Sequence, residues 1–354
     1  MNQWEMPPVG ERTRTNGTAA GTTVVVLGGG INGAALAREL LLSGVSVVVV
    51  EAEDIASGAT AWSTRLVHGG LRYLEYGELG LVRESLAERD RLARLAAHLV
   101  RPLEFYLPLE SRFGGLRAAA ARLCGFESLA RRWGGSRGSW TVGIGLTLYD
   151  LLATGSRWPW HRTVRAGEAG LPRVDAGRFP HAAIYADAQM LFPERFTVEL
   201  FVDAARIAAD SGAEFSLSTQ HTARLGAGGR LTIEPRHVEP RGGGARGIEP
   251  AAIINATGAW VDRTLAGLLP EPPGRLIGGT KGSHLILDAP EVRGAIGDRG
   301  VYAEAADGRP VFVLPFGPRL VLVGTTDIPF AGDPALATAD RSEEHTSELQ
   351  SRVD

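Results

Sequence analysis

TTVVVLGGGINGAALARELLLSGVSVVVVE, residues 22–51, decides the fold. TTVVVL is a β-branched apolar run of the kind buried on both faces of a parallel sheet. GGGING follows, AALARELLLSG reads as a helix closed by Gly44, and VSVVVVE reads as a second parallel strand ending in Glu51. Within this βαβ unit the glycines at 28, 30 and 33 have separate tasks. Gly28 permits the tight strand-to-helix turn, Gly30 lets a pyrophosphate approach the backbone, and Gly33 lets helix and strand pack closely. Asn32 lies in the same turn and joins the expected cofactor contacts. The helix N-terminus then offers oriented N–H groups and a positive dipole to phosphate. Glu51, eighteen residues beyond Gly33, can accept hydrogen bonds from an adenosine ribose and would repel a 2′-phosphate. The unit predicts dinucleotide binding, and alone it does not choose between FAD and NAD.

Outward from that unit, residues 80–100 (GLVRESLAERDRLARLAAHLV) have leucines at helical spacing among charges, which predicts an amphipathic helix. Residues 111–140 hold six arginines (112, 117, 122, 131, 132 and 137) against one acid, Glu127. Such a run is either a solvated helical face or a contact for an anionic partner or membrane surface. Residues 194–215 (ERFTVELFVDAARIAADSGAEF) predict a helix running into a strand, and glycine turns at 226–229 and 242–247 separate short strands up to AAIINATGAW. Residues 275–327 are again β-rich. The expected class is α/β: a Rossmann-like nucleotide domain from residues 21–110 and 185–262, interleaved with a β-rich substrate or cap domain from 111–184 and 263–340.

Composition narrows the function classes. A chain of 354 residues exceeds what one core usually fills, so about two domains are expected. A net charge of -3 gives no global pull toward nucleic acid. The single cysteine, Cys124, excludes an internal disulfide and multi-thiolate metal sites and fits a reducing compartment. There is no run of eighteen or more apolar residues, as a membrane-spanning helix needs. Residues 1–20 lack an apolar signal region and read as a disordered leader, which points to the cytoplasm. Residues 341–351, RSEEHTSELQS, match one translated frame of a common DNA-sequencing adapter, so 341–354 is expected to be an artefactual tail.

A second motif carries the chemistry. In SGATAWSTRLVHGGLRYLE (57–75), Thr60, Ser63 and Thr64 can bind phosphate or flavin edge groups. Gly69 and Gly70 allow backbone to lie against a flat ring. His68 could meet ring or substrate, or be a hydrogen-bonded structural residue. GGGINGAALAREL, HGGLRYLE, NATGAWVD (255–262), KGSHLIL (281–287) and GTTDIPFAGDP (324–334) stand in the order and at about the separations of the FAD-dependent glycerol-3-phosphate dehydrogenases. The chain resembles that family, of the D-amino-acid-oxidase-like flavoprotein superfamily, over about residues 22–335.

The resemblance implies FAD as cofactor, held by Gly28, Gly30, Asn32, Gly33, Glu51, Thr60, Ser63, Thr64, His68, Gly69, Gly70, Ala256, Thr257 and Gly258. It implies substrate contacts from Arg72, Tyr73, Lys281 and Thr326, and proton roles for His284 and, second, His68. Arg is suited to phosphate by its fork of donors. The implied reaction is oxidation of sn-glycerol 3-phosphate to dihydroxyacetone phosphate by hydride transfer to FAD, with electrons passed to a quinone by an enzyme peripheral on the inner face of the plasma membrane. Two departures bear on it. The run before HGG has fewer hydroxyls than the family pattern, with Trp62 and Arg65 in it. The family's later G-V-R-P segment and C-terminal helical domain have no counterpart before residue 340, which implies weak FAD binding and slow turnover. A flavin-dependent amine or amino-acid oxidase and an inactive fragment remain the alternatives.

Overall fold

The computed structural model describes residues 23–110, 139–153, 158–237, 244–272, 274–304 and 310–340. The expected leader, Cys124, the arginine-rich run and the tail from 341 lie outside the described residues. The chain divides into two units, the first taking residues up to Ser63 with Phe192–Gly279 and the second Thr64–Leu191 with residues from Thr280 on.

The first unit is built on the opening βαβ motif. Strands β1 (Thr23–Leu27) and β2 (Ser46–Val50) flank helix α1 (Ile31–Leu42). With labels numbered along the whole chain, β7 (Phe215–Ser218) and β11 (Ala252–Asn255) complete a parallel sheet of order β11-β1-β2-β7. Valine alternation feeds two cores. Val24, Val26, Val47 and Val49 pack with Ala34, Ala37 and Leu41 of α1 and with Phe201, Ala204 and Ala208 of α4 (Pro193–Ser211). The alanines keep the two helices close, and Arg38 of α1 reaches Asp203 of α4 at 2.6 Å. Val25, Leu27, Val48 and Val50 face the other way, onto Leu231, Ile233 and Leu268. Those three come from an antiparallel sheet of β8 (His221–Leu225), β9 (Leu231–Pro235) and β10 (Arg246–Ile248), and from α5 (Val261–Leu268). Each fully buried valine contributes roughly 1.5–3 kcal/mol, so both faces of this sheet are strongly held.

The second unit is a mixed sheet. β3 (Leu66–Val67), β4 (Val100–Leu109), β6 (His181–Met190), β13 (His284–Asp288), β14 (Gly300–Glu304), β15 (Pro310–Phe316) and β16 (Leu320–Gly324) run in the order β13-β16-β15-β14-β4-β6-β3, and β5 (Arg162–Arg165) pairs with β6. β12 (Thr280–Lys281) and β17 (Ile328–Pro329) form a small ladder. On one face Leu103, Phe105, Leu107 and Leu109 pack with Val82 and Leu86 of α2 (Leu79–Leu95) and with Leu146 and Tyr149 of α3 (Ser139–Leu152). A short helix, α6 (Pro290–Ile296), precedes β14. No helix among the described residues is long and apolar enough to cross a membrane.

The division differs from the sequence boundaries. Residues 64–110 and 185–191 were expected in the nucleotide domain but fall in the second unit, because β4 and β6 pair over ten residues from Val100↔Met190 to Leu109↔His181 and β3 pairs with β6. Residues 263–279 stay with the first unit, where Leu268 is part of the core.

Candidate functional site

In the first unit the glycine turn is built as the spacing predicts. Gly28 has φ +110°, and a Cβ there would lie 2.5 Å from the Ala256 carbonyl oxygen. A Cβ on Gly33 would lie 2.0 Å from the Gly28 carbonyl oxygen, so helix and strand touch without room for a methyl group. Gly30 is the N-cap of α1 and brings no capping side chain. The Ile31 N–H donates to Thr60 Oγ1 at 3.2 Å, Ala34 N–H is the first to enter the helix, bonding the Gly30 carbonyl, and among the described residues the N–H groups of Asn32 and Gly33 meet no acceptor. Two donors at a dipolar helix end, beside a turn that excludes side chains, fit a pyrophosphate.

Gly29, which the spacing rule passes over, has its own reason. Its N–H donates to Glu51 Oε2 at 2.6 Å, and a Cβ there would lie 2.9 Å from the Cβ of Glu51. The other Glu51 oxygen accepts from Glu53 N–H at 2.7 Å. Glu51 therefore stands at the strand end as expected and ties down the turn, with lone pairs left for a ribose hydroxyl. The run of three consecutive glycines was the available signal. The NATG segment lies against this turn, since the Ala256 N–H donates to the Leu27 carbonyl at 2.8 Å. Asn255 Oδ1 accepts from both Thr257 N–H and Thr257 Oγ1 (3.2 and 2.6 Å), and Thr257 Oγ1 is 3.0 Å from Thr264 Oγ1. Gly258 then turns the chain at φ +57° into α5. Ser63 is half-buried in the same unit.

In the second unit, HGG forms the entry to a short 3-10 helix, Leu71–Tyr76, whose N-cap is Gly70 at φ +71°. Both glycines are buried while His68 is exposed. A Cβ on Gly69 would lie 2.4 Å from Leu86 Cδ2 and 2.5 Å from the Tyr149 hydroxyl, and one on Gly70 would lie 2.2 Å from the Tyr73 ring. Contacts inside the unit thus require these glycines, a reason distinct from the flat-ring approach expected from the sequence. Arg72 is half-buried and meets no acceptor among the described residues, and Tyr73 is 42% exposed.

Beneath that turn is a polar cluster that sequence reading missed. Gly69 N–H donates to the Tyr149 hydroxyl (2.9 Å) and to Asp187 Oδ1 (3.2 Å). The Tyr149 hydroxyl donates to Asp187 at 2.8 Å, and Arg89 Nη1 pairs with Asp187 Oδ1 at 3.0 Å. Arg89 also donates to the Ala186 carbonyl, pairs with Asp90 and lies 4.6 Å over the Trp158 ring. Arg89 and Asp187 are 1% and 2% exposed. Burial raises the Asp187 carboxyl above its ordinary range, and Arg89, His68 and the Tyr149 hydrogen bond hold it partly back. Burial, with Asp187 beside it, pushes the Tyr149 phenol well up. Burial alone would lower Arg89, but Asp187, Tyr149 and Asp90 outweigh it and leave the guanidinium raised. The signals were present: α2 buries Val82, Leu86 and Arg89 in one stripe, and Asp187 sits inside the apolar strand HAAIYADAQM.

The third cluster joins predicted residues far apart in sequence. His284 Nε2 lies 2.9 Å from Thr64 Oγ1. Burial, reinforced by Arg65, lowers the His284 pKa, so the ring is neutral at pH 7 and able to take a proton. The Ser283 N–H donates to Thr326 Oγ1 at 2.9 Å, while Thr325 Oγ1 donates to the Thr326 carbonyl at 2.9 Å. Lys281 is turned to the Thr338 carbonyl (2.9 Å) and Asp340 (3.4 Å), so its ammonium is occupied within the chain.

The family model described as "FAD dependent oxidoreductase" matches residues 23–353. A glycerol-3-phosphate dehydrogenase of Synechocystis is 35% identical over 321 residues, covering 87% of this chain and 52% of that protein. A D-erythritol 1-phosphate dehydrogenase of Brucella abortus is 31% identical over 327 residues, covering 90% and 57%. Among solved structures, the glycerol-3-phosphate dehydrogenase from Bacillus halodurans complexed with FAD superposes with a TM-score of 0.59 at 20% identity, over 92% of this chain and 51% of that one. The chain spans about half the length of the curated relatives it matches.

Proposed function

Because the chain belongs to the FAD dependent oxidoreductase family, we propose that it oxidises the secondary alcohol of a polyol phosphate, with sn-glycerol 3-phosphate as substrate and dihydroxyacetone phosphate as product. The observation that carries the reading is Arg72, a cation without an acceptor among the described residues, borne on a turn whose neighbouring amide is anchored in the interior. A guanidinium so presented suits a phosphate dianion. The relatives named for glycerol 3-phosphate and erythritol 1-phosphate oxidation support the same substrate class.

When bound, FAD supplies the two-electron acceptor. In the first unit the residues that would hold its pyrophosphate are Gly28, Gly30, Asn32 and Gly33, with Glu51 for the ribose and Thr60, Ser63 and Ala256–Gly258 as further contacts; Thr64, His68, Gly69 and Gly70 are the flavin contacts proposed in the second unit. The proposed pyrophosphate and ribose contacts all lie in the first unit, and the proposed substrate contacts all lie in the second. Arg72 binds the phosphate and Tyr73 orients the polyol. His284, neutral and hydrogen-bonded to Thr64, takes the proton from the substrate's secondary hydroxyl; His68 is the second candidate. Lys281 and Thr326 serve the substrate by fixing the strand ends that carry His284. The motif resemblance supports a quinone at a membrane surface as the onward electron acceptor.

The test is anaerobic bleaching of the yellow flavin by glycerol 3-phosphate in the FAD-loaded chain. Arg72→Ala should raise the half-saturating substrate concentration at least about tenfold, the worth of one charge-assisted hydrogen bond. Bleaching by glycine or sarcosine and not by glycerol 3-phosphate would assign the chain to amine oxidation instead.

A further inference from the structure

We propose that Asp187, with Tyr149 and Arg89, is a positioning network that fixes the HGG turn and so sets how Arg72 meets the substrate phosphate; its substrate half rests on the function proposed above. Three donors converge on Asp187: the Tyr149 hydroxyl at 2.8 Å, Arg89 Nη1 at 3.0 Å and the Gly69 amide at 3.2 Å. The Gly69 amide is shared, since it also donates to Tyr149 at 2.9 Å. An arginine–aspartate pair this deeply buried is a poor device for stability, because desolvating both charges offsets their attraction and a well-packed apolar replacement would serve as well. What such a pair supplies is direction. An apolar core would let the turn slide against it, whereas a shared amide proton on two fixed oxygens defines where Gly69 sits.

The rest of the turn follows from that anchor. Gly70 takes the left-handed conformation, and the Tyr73 N–H closes onto the Gly70 carbonyl at 2.8 Å. Arg72 is inside that closed loop, three residues from the clamped amide. The other end of the network is equally fixed, with Arg89 held by Asp90, the Ala186 carbonyl and the Trp158 ring. The cluster touches neither Arg72 nor His284 by any hydrogen bond among the described residues, so its effect on substrate passes through the backbone of residues 69–72.

Tyr149→Phe removes one hydroxyl and keeps the ring in its apolar surroundings. In the FAD-loaded chain we expect amide hydrogen exchange in the peptide spanning 68–73 to rise about tenfold, and half-saturating glycerol 3-phosphate to rise about tenfold, the loss of one hydrogen bond to a charged group. The bleaching rate at saturation should stay within about twofold, because His284 is untouched. Asp187→Asn, which keeps the shape and removes the charge, should move both readouts the same way. Wild-type exchange in folded Tyr149→Phe protein would overturn the inference, as would faster exchange with unchanged half-saturation. If the wild-type chain is not bleached by glycerol 3-phosphate, the functional reading fails, and the exchange measurement alone decides whether the network holds the turn.

Discussion

His284 shows how much one burial decides. An imidazole already protonated cannot take a proton, and burial together with Arg65 lowers this one below its ordinary value. The folded state therefore favours neutral His284, a contribution that is present above the unfolded value of about 6.5 and is lost as pH falls through the lowered folded value. Thermal melting should show it: the midpoint should fall between about pH 7 and pH 5 by more in the wild type than in His284→Gln, which keeps a partner for Thr64 and cannot titrate. Equal acid sensitivity in the two would remove His284 as a neutral buried base. The sequence marked His284 and Thr64 as functional but gave no sign that they meet at 2.9 Å; a sequence separation of 220 carries no local signal of a tertiary contact. Gly69 was legible as a special position, but its steric reason was not, since its neighbours Leu86 and Tyr149 come from helices that only the folded core brings together.

At the scale of elements, the βαβ unit was almost wholly readable. Its strands are fixed by valine runs, its helix by alanines and leucines at helical spacing, and its turn by glycines whose sterics are local. Gly33→Ala tests that directly. A methyl group 2.0 Å from the Gly28 carbonyl forces α1 away from β1, and we expect a loss of about 3 kcal/mol in denaturant unfolding together with loss of bound yellow flavin. Flavin retention at wild-type stability would show that the helix can shift without harm. Helix α2 was readable as amphipathic, whereas the meaning of Arg89 in its buried stripe was not. An arginine at such a position is uninterpretable until the acid opposite it is known.

For the whole molecule, the two units divide the chain at other positions than the boundaries expected from the sequence. Composition and periodicity identify strands but not partners, and the ten-residue pairing of β4 with β6 decides which unit owns residues 64–110. Both units are built from two separated chain segments, so many contacts join distant residues, and folding should be slow for this size. Cofactor linkage gives the global test. FAD that binds only the folded chain should stabilise it by about 2.7 kcal/mol at a hundredfold excess over its dissociation constant. A melting midpoint that does not move with FAD concentration would contradict the family's cofactor for this chain.

The carboxylate of Glu51, clasping the Gly29 amide at 2.6 Å, has a kinetic meaning. A phosphate loop that must be ordered by its ligand charges the entropy of that ordering to every binding event. Here a side chain of the protein already holds the loop, so an incoming pyrophosphate meets a finished surface. Association at this turn should then be a single step whose rate rises linearly with FAD concentration, without the plateau that a slow loop rearrangement would impose.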